Sequence, residues 1–596
     1  MKKESPLLKH ARLLASQGKF SPLLKACQKL EESYLAHQNV DGLLDLGTLL
    51  LSAGFLSEAK HCFDKALLLN PTATAVPINL ANVLREQGEP TASRHLYAKL
   101  LVHSPNHPVI RRNALIGLEY DAEVLDAERF SQACSWGQWA ITRAGGVRPR
   151  PAVTPATNRA LRIGYVSADL CQHTVGLFVK EVLKAHDPSR VAVFAFSAGQ
   201  ISDWVTDEIR AACTFREVAA LDDLALEALI RSDGIDVLID LSGHTAGSRL
   251  TAFAYRPAPV MVSWLGYFAT TGLPYLDAVL LDDWHAPPGT ESQFTEPIIR
   301  LPSGRFCYQP VPWAPVTVAP SPCIRNGYIT FGCFNNTAKL NDGVLNVWAR
   351  VLQAVPNARL SLKWRTFNDE AFRQRVTQKF QSLGIDPMRI ALRGPSFHAD
   401  LLNEYAEIDI ALDPFPFTGG LTSCEALWMG VPVVTWPQSR VVSRQTYALL
   451  NQLGLAELAA NDQDDYVRIA AQLASDTQRL VELRKRLRDQ MRTSPLMDVA
   501  GFTRKLENTL RGLHDQLANQ RDDANDPRSR ANTMKIITID NQDYALDALS
   551  DDAKAQLAGL QFVDAELKRL HAQVAVLQTA RHAYASALKA SLQPKH

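Results

Sequence analysis

Residues 408–436, IDIALDPFPFTGGLTSCEALWMGVPVVTW, carry the pattern that decides the fold of this chain. A short apolar run ends at Asp413, a loop with Gly419 and Gly420 follows, and a helical stretch from Leu421 leads to a second apolar run. This order is typical of a parallel α/β sheet. The glycines let the backbone approach a ligand, and the free N–H groups of the helix start favour an anion. The stretch therefore predicts an anion-binding loop at the carboxyl end of a strand.

Similar apolar runs on both sides of this stretch form two groups, separated by five prolines between residues 310 and 322. The later group also contains YITFGCFN (328–335), ARLSLKW (358–364) and RIALRG (389–394). The earlier group is LRIGYVSADL (161–170), VAVFAFSAG (191–199), IDVLIDLSG (235–243), VMVSWLG (260–266) and AVLLDD (278–283). Helical stretches lie between many of the runs. We therefore predict two doubly wound α/β domains, residues 160–309 and 326–514, which face each other across a ligand cleft.

The first 145 residues are helical in pattern and repeat with a period of 34. Gly54 and Gly88 take equivalent places at predicted turns between paired helices. The spacing resembles the tetratricopeptide repeat, and Leu13 to Leu35 is a candidate for a degenerate earlier copy. Two clear copies seldom stand alone, so we expect the array to pack on its neighbour as well as to stack; a plain helical bundle is the alternative. The matched positions are Gly47, Ala59, Phe63, Ala66 and Pro71, then Ala81, Ser93, Tyr97, Leu100 and Pro105.

The last part of the chain has a different character. Residues 515–533 are polar and rich in Asp, Asn and Arg, which favours a flexible linker. KIITIDNQDYAL then predicts a small hairpin, and a long helix follows Ser550, so that residues 534–596 form a tail. Apolar positions at heptad spacing predict a coiled coil and a possible homo-oligomer, although Arg581 interrupts them. These positions are Leu560, Val563, Leu567, Leu570, Val574, Leu577, Tyr584 and Leu588.

Composition excludes several classes of protein. The 63 basic residues balance 62 acidic ones, so a broadly basic nucleic-acid binder is not expected. The sequence contains neither a window of 18 apolar residues nor the apolar core of a signal peptide, and we expect no membrane span. Nine cysteines, odd in number and never spaced CxxC, fit a reducing compartment, and we expect a cytoplasmic protein.

Two further loops follow predicted strands of the first domain at their carboxyl ends, the functional edge of an open α/β sheet. One contains His173 and the other contains Asp240 and His244. A lone histidine is usually structural, but two at adjacent strand ends favour a role in proton transfer or phosphate binding, with Asp240 as an alternative proton acceptor. Lys339 follows the strand of residues 328–335 and can reach a phosphate; a solvated loop lysine is the alternative.

Common cofactor motifs are absent from the sequence. It contains no GxxxxGK[ST], GxGxxG or HExxH pattern. Asp282 and Asp283 could hold a metal ion, but a polar turn at the end of a strand explains them better. The two aspartates therefore do not predict a metal site, and no motif of the sequence predicts a cofactor.

Three stretches resemble a known family. RPAPVMVSWLGYFATTGLPYLD (256–277), FGCFNNTAKLN (331–341) and residues 408–436 are similar to the catalytic region of O-linked N-acetylglucosamine transferases, more narrowly to bacterial relatives of the SPINDLY type. The resemblance covers about residues 160–510, and the preceding repeats match the family's architecture. It implies two Rossmann-like domains in the B-type glycosyltransferase fold, a UDP-sugar donor used without a metal, and inversion at the anomeric carbon.

The resemblance also implies roles for particular residues. His173 matches a histidine near the sugar and the phosphates, His244 matches a proposed base, and Lys339 matches the lysine that neutralises the diphosphate leaving group. The helix start and Glu425 match the diphosphate and ribose contacts, and His398 lies where side chains surround the uracil. The residues expected to bind the donor are Asn336, Lys339, His398, Gly419, Gly420, Thr422, Ser423 and Glu425.

Two departures from the family pattern affect the functional prediction. Phe268 and Ala269 replace a Pro-Gly pair on the acceptor side, and Leu421 replaces a threonine at the diphosphate. The resemblance predicts transfer of a sugar, N-acetylglucosamine first, from UDP to Ser/Thr hydroxyls of proteins presented by the repeats. The alternatives are UDP-glucose-dependent transfer to Asn or to a non-protein acceptor, and an inactive scaffold.

Overall fold

A computed structural model describes residues 5–156, 159–525, 536–539 and 542–545 of the chain. Two compact units are present, residues 1–515 and residues 516–596. None of the helices in the described ranges is long and apolar enough to cross a membrane. In the second unit, strands 536–539 and 542–545 pair antiparallel, as the predicted hairpin requires. The predicted helix after Ser550 lies outside the described residues.

In the described part of the chain, eight helices precede the sheets and form the repeat array. Consecutive helices pack as antiparallel neighbours because small residues lie where they cross: a Cβ atom on Gly47 would come within 2.4 Å of the Phe63 ring. The predicted crossing residues Ala59, Phe63 and Ala66 are buried. The helices are α1 Pro6–Ser16, α2 Phe20–Ala36, α3 Val40–Ala53, α4 Leu56–Leu69, α5 Ala75–Glu86, α6 Pro90–His103, α7 Pro108–Leu118 and α8 Asp126–Arg143.

The first sheet contains seven parallel strands in the order β3-β2-β1-β4-β5-β6-β7. Its central strands are apolar and buried, as a sheet covered on both faces requires. With α9–α12 it forms the N lobe. The strands are β1 Leu161–Ser167, β2 Val191–Ser197, β3 Thr214–Glu217, β4 Val237–Asp240, β5 Val260–Trp264, β6 Ala278–Leu281 and β7 Ile298–Arg300, and the helices are α9 Thr174–Ala185, α10 Trp204–Ala212, α11 Asp223–Ser232 and α12 Leu250–Phe253.

The second sheet contains five parallel strands in the order β10-β9-β8-β11-β12. With α13–α20 it forms the C lobe. The strands are β8 Thr330–Cys333, β9 Arg359–Lys363, β10 Ile390–Arg393, β11 Ile410–Leu412 and β12 Val433–Val434. The helices are α13 Pro322–Asn326, α14 Asp342–Ala354, α15 Glu370–Ser382, α16 His398–Glu404, α17 Leu421–Trp428, α18 Gln445–Gln452, α19 Gln463–Ser475 and α20 Thr477–Arg492.

The last long helix, α21 Val499–Asn525, returns from the C lobe to the N lobe. Its Phe502 ring stacks on Trp264 with centroids 6.0 Å apart, and Glu507 Oε1 lies 3.0 Å from Nδ1 of His186. The predicted fold class, two Rossmann-like domains after a repeat-like helical array, is confirmed.

The repeat array packs on both lobes, as its small number of repeats led us to expect. Gly54 and Gly88, at the turns after α3 and α5, have positive φ angles, and a Cβ atom on them would lie 2.0 Å from the carbonyl oxygen of Arg365 and 2.3 Å from that of Leu340. On the other side, α8 meets the N lobe so closely that a Cβ atom on Gly137 would lie 1.8 Å from a carbonyl oxygen. Both lobes and the array therefore form one compact unit.

Candidate active site

A cleft of about 810 Å³ lies where the two lobes and the repeat array meet. The carboxyl ends of β1 and β4 supply one wall and the loops after β8 and β11 supply another, because these strand pairs are neighbours in their sheets. Helices α5 and α7 of the array supply the third wall. Of the predicted residues, the cleft is lined by His173, His244, Asn336, Lys339, His398, Gly420, Thr422 and Glu425.

Lys339 lies at the centre of the C-lobe wall, in a short 3-10 turn after β8. Its Nζ atom donates hydrogen bonds to Asn335 Oδ1 and to the carbonyl oxygen of Thr418, each at 2.9 Å. Asn335 Oδ1 also accepts a 2.9 Å bond from Thr422 Oγ1 in the first turn of α17. The ammonium is thereby fixed beside the start of α17, where free amides and the helix dipole add to its attraction for a phosphate.

Burial lowers the pKa of Lys339 to about 8, and the nearby carboxyl of Asp413 opposes this shift. Burial raises the pKa of Asp413 itself to about 6, although it accepts hydrogen bonds from Gly419 N and Thr435 Oγ1, both at 2.7 Å. At neutral pH Lys339 is therefore mainly charged. Its charge is poorly solvated, which strengthens its interaction with an anion in the cleft.

The glycine loop shows why residues that share a motif take different places. Gly419 lies buried beneath the loop, where a Cβ atom would come within 2.3 Å of Ser423 Oγ. Ser423 is buried, and its hydroxyl is bonded to Thr446 Oγ1 at 2.7 Å. Neither residue lines the cleft, so Gly420 and Thr422 are the members of the predicted set that face a ligand.

Glu425 and His398 form a pair at one end of the cleft. His398 Nε2 lies 2.7 Å from Glu425 Oε1, and the carboxylate is buried. The imidazole ring also lies edge-on to Trp313, with centroids 5.9 Å apart. A carboxylate and an aromatic pair are suited to a ribose and a base, the contacts expected of these residues.

His173 and His244 lie in different environments. His173 precedes α9, and its Nδ1 accepts a 3.4 Å hydrogen bond from Val175 N; about half of its side chain is exposed. His244 is buried, with Nε2 2.9 Å from the carbonyl oxygen of Thr271. A carbonyl can only accept, so Nε2 carries the proton and Nδ1 offers a lone pair. Nδ1 has no partner among the described residues.

Burial lowers the pKa of His244 to about 3, so at neutral pH it is a neutral acceptor and a weak base. Asp240 does not line the cleft. Its oxygens accept hydrogen bonds from Ser242 N at 3.2 Å and Gly243 N at 2.8 Å, and it thereby shapes the turn that carries His244. Burial raises the pKa of Asp240 to about 7, with the two amides opposing the shift.

Three aromatic rings join the three walls. Phe417 of the C lobe lies 4.6 Å from Tyr120 of the array and 5.0 Å from Phe268 of the N lobe, centroid to centroid. Lys339 Nζ lies 4.6 Å from the Phe417 centroid, and Arg305 lies 5.5 Å from that of Phe268. Phe268, a departure from the family pattern, is thus part of the contact that closes the cleft between the lobes.

Part of the site lies outside the residues predicted from the sequence. Asn335, rather than its neighbour Asn336, links Lys339 to Thr422; Asn336 Oδ1 instead accepts a bond from Ala338 N. The wall formed by α5 and α7 was also not predicted. Polar residues on the inward faces of repeat helices are the sequence pattern that indicates such a wall. The missed cleft residues with charged or hydrogen-bonding side chains include Asn82, Arg85, Arg112, Asn113, Tyr120, Arg305, Trp364, Arg365 and Gln445.

The aspartate pair considered for a metal is otherwise engaged. Asp282 Oδ1 accepts a bond from His285 N and Oδ2 accepts one from Arg305 N, both at 2.7 Å. Asp283 is largely exposed. Within the described ranges there is no group of three or more His, Cys, Asp or Glu side chains suited to a metal ion. The expectation of a metal-free site stays a prediction.

Two Rossmann-like lobes that face each other across a cleft are the architecture of the B-type glycosyltransferase fold. The chain belongs to glycosyl transferase family 41, which matches residues 127–309 and 316–506. The tail, residues 525–594, matches a family of unknown function, DUF6447.

The similar proteins include plant and non-plant members. A probable UDP-N-acetylglucosamine–peptide N-acetylglucosaminyltransferase SPINDLY of Petunia hybrida is 39% identical over 67% of this chain and 44% of its own length. Its Arabidopsis thaliana counterpart is 38% identical over the same shares. A solved O-GlcNAc transferase mutant of Thermobaculum terrenum is 34% identical, with a TM-score of 0.78 over 87% of this chain and all of that one. The chain spans about half the length of the curated relatives it matches.

Proposed function

We propose that this protein transfers N-acetylglucosamine from UDP-N-acetylglucosamine to Ser/Thr hydroxyls of proteins, with inversion at the anomeric carbon. The observation that carries the proposal is the linked group Lys339–Asn335–Thr422 at the start of α17, in a chain of family 41. The names of the relatives support the choice of sugar and acceptor. Kinship with bacterial SPINDLY-type enzymes belongs to the same proposal; the SPINDLY relatives named above come from plants.

In the proposed reaction the oxygen of an acceptor hydroxyl forms a bond to the anomeric carbon as the bond to UDP breaks, and the hydroxyl proton passes to the departing diphosphate. Negative charge grows on the diphosphate, and Lys339 with the amides of α17 stabilises it more in the transition state than in the ground state. Nδ1 of His244 accepts a hydrogen bond from the acceptor hydroxyl, and Asp240 positions His244 through the turn. His173 lies on the exposed side of the cleft, where it contacts the sugar or the phosphates.

The linked group Lys339–Asn335–Thr422 supports a reaction that needs no metal and no cofactor. Binding of UDP should therefore survive EDTA, which calorimetric titration with and without the chelator measures. If EDTA abolishes UDP binding and magnesium or manganese restores it, the diphosphate is held through a metal ion, and Asp282 and Asp283 become the candidate ligands.

The array and the cysteines support the remaining parts of the proposal. Because α5 and α7 line the cleft, the array is placed to present an acceptor chain. All nine cysteines are free thiols, which supports a cytoplasmic location. A homo-oligomer formed through the tail stays a prediction.

The test is transfer itself. Proteins co-expressed with the full-length chain should carry N-acetylhexosamine on Ser or Thr by mass spectrometry, and Lys339→Ala should lack this activity. UDP release should be faster from UDP-N-acetylglucosamine than from UDP-glucose. Preference for UDP-glucose, or modification of Asn, would favour the alternative transfer, and no release from either donor would favour a scaffold.

A further inference from the structure

The cleft carries more positive charge than a nucleoside diphosphate neutralises. Four arginines and Lys339 line it, whereas Glu425 is its only carboxylate among the described lining residues. The chain as a whole carries a net charge of +1, so this excess is local. The diphosphate of a UDP-sugar brings about two negative charges, which leaves positive charge unmatched within a partly desolvated space.

The partners of each cation show where the unmatched charge lies. Arg365 Nη2 is paired with Glu86 Oε2 at 2.7 Å. Buried Arg305 donates to the carbonyl oxygens of Leu265 and Tyr267 and so holds the loop that ends in Phe268. Lys339 is fixed at the start of α17. These three cations therefore serve the fold or the leaving group.

Arg85 and Arg112, on the array wall, differ from the other three. Within the described part of the chain neither forms an ion pair, and Nε of Arg85 is buried without a partner. Among the described residues, Arg112 donates only to the neutral amide of Asn113. Both side chains line the same cleft, and the pKa of Arg112 is lowered by burial and, less strongly, by the charge on Arg85. Two neighbouring cations without a counterion are unfavourable unless a ligand supplies an anion.

Arg85 and Arg112 lie on the side of the cleft where an anionic group would come from the acceptor and not from the donor. Arg85 lies 5.7 Å from the centroid of Tyr120, on the array side of the aromatic contact, whereas Lys339 lies on the C-lobe side. The charge on Arg112 also acts on His244, the residue proposed to contact the acceptor hydroxyl. N-acetylglucosamine is neutral and carries no anion to this wall.

We infer that Arg85 and Arg112 form a carboxylate-binding subsite for the acceptor, which selects protein segments with Asp or Glu within a few residues of the modified hydroxyl. The inference rests on the proposed function for the identity of the acceptor. Planar guanidinium groups suit a carboxylate because they donate in a fixed fork.

Peptide binding tests this subsite without turnover. The probes are fluorescein-labelled serine peptides made with Glu, Gln or Lys at one position within about three residues of the serine. Anisotropy titrations use the full-length protein saturated with UDP at low ionic strength. For at least one position the Glu peptide should bind about 10- to 100-fold more tightly than the Gln peptide, the usual effect of a hydrogen bond to a charged group.

Variants then locate the effect. Arg85→Gln and Arg112→Gln should each reduce the preference for Glu, and Arg85→Lys should retain only part of it, because lysine keeps the charge but lacks the planar fork. Arg111→Gln is the matched control, because Arg111 is on the same helix as Arg112 but packs 5.3 Å from the Trp139 centroid, outside the cleft lining. Arg85→Glu should favour the Lys peptide, which a merely unfolded variant would not do.

Three outcomes would overturn the inference. The first is equal binding of Glu and Gln peptides at every position, and the second is an unchanged preference in both glutamine variants. The third is a loss of UDP affinity in these variants as large as the loss of Glu-peptide affinity, which would assign the arginines to the donor. If the peptides discriminate but no sugar is transferred from UDP-N-acetylglucosamine, the proposed function fails while the subsite stands.

Discussion

Replacement of Lys339 by Ala should lower the rate of transfer without unfolding the protein, because each acceptor of its two hydrogen bonds keeps another donor. Asn335 Oδ1 keeps its bond from Thr422, and the carbonyl oxygen of Thr418 keeps a 3.2 Å bond from Gln445 Nε2. Neither acceptor is left unsatisfied, and the buried carboxyl of Asp413, whose pKa is already about 6, can bind a proton in place of the lost cation, so the loss of stability should be modest. The substitution should therefore act mainly by reducing the stabilisation of the leaving diphosphate.

The expected loss is large in rate and small in binding. Removing one donor that stabilises transition-state charge costs about 2.7–4 kcal/mol, or roughly a hundred- to thousandfold in kcat. UDP affinity should fall much less, because the contact strengthens as the bond to UDP breaks. The assay is steady-state transfer at pH 7, where Asp413, with a pKa of about 6, is largely ionised and Lys339, with a pKa of about 8, is largely protonated.

Controls make this result specific. Lys379→Ala removes a lysine of the same lobe that pairs with Asp342 at the surface, and it should leave kcat unchanged. For the wild type, kcat/KM for the donor should fall above about pH 8 as Lys339 loses its proton, and Lys339→Arg should shift this fall to higher pH. The reasoning is refuted if Lys339→Ala weakens UDP binding as much as it lowers kcat, or if Lys379→Ala has the same effect.

Three further predictions concern pH, docking and the tail. As the pH falls through 7, activity should decrease in His244→Ala as in the wild type but not in Asp240→Asn, because the pKa of Asp240 is about 7 and that of His244 is about 3. The measurement is the pH–rate profile, and a decrease that persists in Asp240→Asn and disappears in His244→Ala would contradict this prediction. Gly54→Ala should lower the melting temperature more than Gly18→Ala, because both have positive φ but only Gly54 meets another backbone; equal losses would contradict the docking contact. A chain ending at residue 515 should contain fewer copies per particle by light scattering than the full chain, and an equal number of copies would exclude the tail as the oligomeriser.

The sequence determined the parts of the molecule that depend on neighbours along the chain. Buried strands appear as apolar runs, and the 34-residue period places Gly54 and Gly88 at turns, because both patterns arise from local geometry. Motifs that follow strands could also be assigned to the functional edge of a sheet. This placed Lys339 and the start of α17 on one side of a cleft before any contact was known.

The tertiary structure decided which side chains meet. Asn335 and Thr422 are 87 residues apart, and only the pairing of β8 with β11 brings them into contact. The same holds for Arg85 and Arg112, whose place in the cleft follows from docking of the array on both lobes. The low pKa of His244 has its cause in burial, which no motif encodes. Sequence spacing determines local geometry, whereas the protonation, the solvation and the contacts of the side chains in the site depend on packing between distant segments.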